Sequence, residues 1–227
     1  MLADRRLPES VLRANRVGAD PGPHVIPRAR GLPHAGPAVV FPVFDKRGGL
    51  AYLQARYLAP DRVGRKYDNP SAALAQNPRV GVAQRPHHPP THVRGVLVVA
   101  EGIPDALTAV GAGVPAVAVL GAGVPDERTV GRLLSLAGRR HLVITFDADE
   151  RGRVGAQSLT DLVARQAPGR ATRLAPPVGD LNSWAQEAGS RFPDAFANAI
   201  RDAVPIAARL PTSTAIANER SLGIGLA

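Results

Sequence analysis

At 227 residues the chain can bury a real core and hold one large domain or two small ones, and its formal net charge of +9 with a pI near 11.2 suits a polyanionic partner such as nucleic acid. Only Lys46 and Lys66 are lysines, so an arginine-biased composition explains the charge equally well. The lack of cysteine excludes disulfides, thiolate zinc sites and thiol nucleophiles; no basic-apolar-small leader opens the chain and no apolar run approaches a membrane span, so a cytoplasmic protein is expected.

Residues 1–37 carry a helical pattern around Pro8 to Asn15, followed by Pro21, Pro23, Pro27, Pro33 and Pro37, which forbid a continuous helix or central strand. This is a helix plus an arm, whose Arg28 and Arg30 either touch a phosphate backbone or lie in a solvated loop. Residues 38–82 begin with two apolar-rich runs around Lys46-Arg47-Gly48-Gly49, the pattern of a β-hairpin. Beyond it, Asp61 to Pro70 is basic and aromatic together. Arginine and lysine there can neutralise phosphates and Tyr67 can stack on a base; a solvated edge anchored by the tyrosine is the plainer alternative. Residues 83–95, with Pro86-His87-His88-Pro89-Pro90-Thr91-His92, form a linker in which proline spacing fixes no ligand geometry for the histidines.

From Val96 the pattern is βα. The run Val96 to Ala100 stops at Glu101-Gly102, and His141 to Phe146 stops at Asp147-Ala148-Asp149. Each is β-branched, too short for a helix, and followed by apolar residues three and four apart: Ile103 to Gly111 after the first, and a helix to about Gln166 after the second. Another strand and a helix over Asp126 to Leu136 lie between them. Ligands of such parallel sheets bind beyond the carboxyl ends of the strands, where these acids fall. Carboxylates gathered there repel one another unless a cation joins them, and a hard divalent ion with oxygen ligands fits. The alternation of an extended chain would turn Asp147 and Asp149 to the same side. The competing reading is that the acids only cap the following helices. Gly121-Ala122-Gly123 either admits a phosphate or makes a tight turn. Arg151 and Arg153 open their helix against its dipole, offsetting the acids or holding substrate phosphate. A fourth strand is expected at Thr172 to Leu174, then Asp180 before a helix running to Ala188, over which Trp184 packs. An amphipathic helix over Phe192 to Ala208 and a frayed tail from Pro211 complete residues 183–227.

Glu101-Gly102-Ile103-Pro104-Asp105, the glycines near Leu120, and Phe146-Asp147-Ala148-Asp149 with Gly152 resemble the Toprim domain shared by bacterial-type primases, topoisomerases and some nucleases. Phe41-Pro42-Val43-Phe44-Asp45 with Gly48, Arg56, and Lys66-Tyr67-Asp68-Asn69-Pro70-Ser71 resemble the basic subdomain that precedes Toprim in DnaG-type primases, with Asn69-Pro70-Ser71 standing where the family has Asn-Ser-Pro. The resemblance implies an α/β fold: a Toprim-like parallel sheet flanked by helices over residues 96–182, preceded by a small basic α+β subdomain with a β-hairpin. It implies catalysis by Glu101, Asp147 and Asp149, with Mg²⁺ or Mn²⁺ held by these and by Asp105 and Asp180. It assigns nucleotide or template contacts to Arg56, Lys66, Tyr67, Asn69, Arg151 and Arg153.

The function so implied is synthesis of short RNA primers on single-stranded DNA from nucleoside triphosphates. The zinc-binding module of such primases is impossible without cysteine, so no zinc is expected and the enzyme resembles a stripped core, as in phage or mobile-element relatives, with a helicase or zinc-module protein on another chain. A Toprim-type nuclease and a noncatalytic DNA-binding accessory are the alternatives. A topoisomerase has no room for a strand-passage domain with its tyrosine.

Overall fold

The computed structural model describes residues 7–22, 29–33, 36–45, 47–59, 66–86, 93–121 and 125–205. Arg28, the histidines 87, 88 and 92, Ala122, Gly123 and the tail from Pro211 lie outside the described residues.

The chain opens with helix α1 (Glu9–Ala14) and strand β1 (Gly18–Asp20), which pairs antiparallel with β2 (Ala38–Phe44). The arm therefore contains a strand that its prolines conceal; three residues without an apolar pattern give no signal. Strand β3 (Leu50–Tyr57) closes the expected hairpin around Gly48, whose φ of +80 suits glycine, and β4 (Tyr67–Asp68) adds a short edge, giving the antiparallel order β1-β2-β3-β4. Pro42 is tolerated within β2 because β1 reaches only residues 38–40, so no neighbour on that side asks for its missing N–H.

The second sheet follows the order β5-β7-β6-β8-β9. Strands β6 (Val96–Ala100), β7 (Ala116–Val119), β8 (His141–Thr145) and β9 (Ala171–Arg173) run parallel, and β5 (Val80–Ala83) pairs antiparallel with β7. Strand β5 was not anticipated: four residues ending beside a proline-rich stretch carry too weak a pattern. The central strands are buried throughout and their residues alternate between two cores. Val96, Val98, Ala100 and Val143 face helix α2 (Ile103–Gly111) and the last helices, whereas Leu97, Val99, Leu142 and Ile144 face α3 (Glu127–Ala137) and α4 (Glu150–Gln166). Each such buried valine or leucine contributes about 1.5–3 kcal/mol.

Helix α5 (Leu181–Ala188) packs on α2, and α6 (Phe192–Ala203) closes that face through Phe192 and Phe196, stacked at 5.4 Å with Trp184 edge-on to both. Helix α6 ends at Ala203 rather than Ala208 because Val204 is extended (φ −83, ψ 127) ahead of Pro205. The first sheet is fastened to the second by Phe41 and Val43 of β2, which share the α2-side core with Val98 and Leu107. Among the described residues no helix is long and apolar enough to cross a membrane.

Candidate active site

The carboxyl ends of β6 and β8 are neighbours, with Ala100 opposite Thr145. Glu101 continues from one and Asp147 from the other. The Asp147 backbone N–H donates to Glu101 Oε2 at 3.3 Å, so two acids 46 positions apart in sequence meet across adjacent strands. The strand ends at Thr145 and the chain bends at Ala148 and Asp149, so strand alternation does not set the Asp147/Asp149 arrangement, a correction to the sequence expectation. Asp149 instead N-caps α4, accepting the Gly152 N–H at 2.7 Å. Asp180 likewise N-caps α5 through the Ser183 N–H at 2.6 Å. The capping reading is correct for both, and it does not remove them from the site: Asp149 and Asp180 still act on Asp147 through their charge.

That charge bears most on Asp147. Its carboxyl is pushed up to about 6, first by burial and then by Glu101, Asp180 and Asp149 in that order. Four carboxylates thus act on one another around one crevice. Among the described residues no three metal-ligating side chains converge tightly enough to enclose an ion, so the acids form a loose set. An all-oxygen donor set with excess negative charge fits a divalent hard cation that retains water and phosphate ligands.

Two positions not ranked as site residues from sequence hold this set in place. A Cβ on Gly152 would lie 2.2 Å from the Asp147 carbonyl oxygen, so the first turn of α4 rests directly on the Asp147 backbone. Gly179, at φ +44, presents its carbonyl to the Ala148 N–H at 2.6 Å and so ties the Asp180 loop to the Asp147–Asp149 loop. Asp105 is buried, and its Oδ1 accepts the Asn182 N–H at 3.1 Å, joining α2 to the start of α5; Asn182 also donates to Thr108 Oγ1.

The basic candidates lie on the first sheet. Arg56 of β3 faces Tyr67 of β4 in register, donates from Nη1 to the tyrosine hydroxyl at 2.7 Å, and stands 5.2 Å from the ring centre. Gln54 Nε2 donates to Asn69 Oδ1 at 3.4 Å, and Lys66 is exposed, its carbonyl accepting the Tyr57 N–H. Arg56, Lys66, Tyr67 and Asn69 therefore form one strip. Arg151 and Arg153 are exposed on the first turn of α4, next to the acids in sequence but apart from that strip.

A Toprim-like family model matches residues 98–185. Solved structures similar over most of the chain include a DnaG primase catalytic domain bound to single-stranded DNA (22% identity, 91% of this chain and 74% of that one, TM-score 0.65). A DNA primase domain from Pseudomonas aeruginosa gives 22% identity over 88% and 70%, TM-score 0.67, and the Escherichia coli primase catalytic core gives 21% over 99% and 76%, TM-score 0.65. No curated protein matches the sequence. Residues 98–185 are a Toprim-like domain, and the chain as a whole has the fold of DnaG-type primase catalytic cores.

Proposed function

We propose that the protein is a primase-like nucleotidyltransferase that builds short RNA on single-stranded DNA from nucleoside triphosphates. The observation that carries this reading is the approach of Glu101 to Asp147 at the carboxyl ends of adjacent parallel strands, within a field of acids strong enough to lift Asp147 to about 6. In this reading Glu101 and Asp147 hold a divalent cation, with Asp149, Asp180 and Asp105 supplying charge and orienting contacts. When bound, Mg²⁺ or Mn²⁺ supplies neutralisation of the triphosphate and of the developing charge.

The chain's own part is positioning. Arg56 and Lys66 hold template or nucleotide phosphates, Tyr67 and Asn69 keep Arg56 and Gln54 aligned or meet a base, and Arg151 and Arg153 extend the cationic surface beside the acids. The 3′-oxygen of the growing strand bonds to the α-phosphorus, the bond to the bridging oxygen breaks, pyrophosphate leaves, and the hydroxyl proton passes to water. No side chain becomes covalently attached.

The test is incubation with single-stranded templates, labelled nucleoside triphosphates and Mg²⁺ or Mn²⁺. Elongated RNA supports the proposal, shortened template indicates a nuclease, and retention of DNA without turnover indicates a binding accessory. In the variant Asp147→Asn with Asp149→Asn, asparagine preserves the α4 cap, so turnover should fall at least about a thousandfold while the folded state persists.

A further inference from the structure

Arg79 has a left-handed backbone, φ +66, in a residue that is not glycine. Three hydrogen bonds impose it. The Arg79 N–H donates to Asn77 Oδ1 at 2.7 Å, the Arg79 carbonyl accepts the Leu120 N–H at 2.7 Å, and Asn77 Nδ2 donates to the Leu120 carbonyl at 2.7 Å. This clasp fixes the residue just beyond β7, at the same carboxyl edge as Glu101 and Asp147. Glycine would serve the backbone better, so the side chain needs its own account. Its Nη1 reaches Asp126 Oδ2 at 2.7 Å, yet the two side chains are 45% and 43% exposed, and an ion pair so wet adds little stability.

Asp126 does not depend on this arginine. Its Oδ1 accepts the Thr129 N–H at 2.9 Å and the Thr129 hydroxyl at 2.8 Å, and these bonds, ahead of Arg79, hold its carboxyl below the usual range. If the guanidinium leaves, Oδ2 is free to take water. The pair can therefore open at small cost and is built to exchange partners.

We propose that Arg79 is a phosphate-binding residue of the crevice, and that the Asp126 carboxylate is its resting partner, displaced by a ligand oxyanion. The guanidinium fork suits a phosphate as it suits a carboxylate. Strand spacing puts the start of β5, which antiparallel pairing with β7 brings to this edge, about 10 Å from the end of β6, so one polyphosphate can meet both Arg79 and the acids. The inference rests on the proposed function, since it names the triphosphate of a nucleotide as the ligand.

Arg79→Gly, Arg79→Lys and Asp126→Asn should be compared with the parent protein for equilibrium binding of a magnesium nucleoside triphosphate and of inorganic triphosphate, and for Tm. Arg79→Gly relieves the strained backbone, so its Tm should stay level or rise while the dissociation constants for both ligands rise tenfold or more. Arg79→Lys should fall between. Asp126→Asn keeps the helix cap and removes the competing charge, so both ligands should bind several-fold tighter. A lowered Tm with unchanged binding in Arg79→Gly would make the residue a structural strut and overturn the proposal. Loss confined to the nucleotide, or no triphosphate binding by the parent, would also overturn it. Binding with this pattern in a protein that makes no RNA would sustain the inference while rejecting primer synthesis.

Discussion

Asp147 sits where its charged form is disfavoured, and that has a sign in stability. Its carboxyl, raised from 3.8 to about 6 in the folded protein, keeps a proton that the unfolded chain has already lost between these two pH values. The folded state then binds more protons, so stability falls as pH rises from about 4 to about 6 and is level above. The group is partly buried and still screened by water, so the loss is about 1 kcal/mol. Asp147→Asn removes it. In metal-free buffer the variant should melt a few degrees above the parent at pH 7.5 and equal to it near pH 4. Added Mg²⁺ should stabilise the parent at pH 7.5 and not the variant. A variant less stable at both pH values would mean that Asp147 is packed as a structural carboxylate.

Among the elements, α4 shows how a helix sets a site. Its first turn lies on the Asp147 backbone at Gly152, where a methyl group would come 2.2 Å from a carbonyl oxygen that cannot move without shifting the acid. Gly152→Ala should therefore cut kcat at least a hundredfold, although alanine is the better helix former, and should lower Tm through overpacking. Unaltered kcat in a correctly folded Gly152→Ala protein would show that Asp147 need not stay in place. This closeness was not legible in the sequence, where Gly152 entered only as one residue of the Toprim resemblance. What was legible were the elements with strong patterns: β6, apolar along its whole length, and β8, with Leu142-Val143-Ile144 at its centre, both covered on two faces, and the helices behind them. The short strands β1, β4 and β5 escaped because two to four residues have no periodicity, and they are recruited by neighbours already in place. Asp149 and Asp180 showed a different limit. Capping and acid-cluster readings look like rivals in the sequence, yet one carboxylate can accept a helix N–H and still act on Asp147.

At the scale of the molecule, the acids and the basic strip belong to different sheets that share one core. Phe41 and Val43 of the antiparallel sheet are buried with Val98 of the parallel one and Leu107 of α2, and Gly81 of β5 lies against Val43 of β2. In the proposed function the strip would grip a polyanion on one sheet while the acids act from the other, the two joined by this shared core. The net charge of +9 makes some attachment to nucleic acid unspecific, so the useful quantity is the dependence on salt. Each phosphate neutralised on a single strand contributes about 0.7 to the slope of log affinity against log salt. If Arg56 and Lys66 each hold one, replacing both by alanine should lower the slope for an oligodeoxynucleotide by about 1.4 and weaken binding alike for every sequence. Tyr67→Phe, which removes only the hydroxyl that holds Arg56, should leave the slope nearly intact and weaken binding a few-fold. An unchanged slope in the double alanine variant would move the template from this strip to the arginines elsewhere on the surface, because diffuse charge attracts a strand without counting the phosphates at any one place.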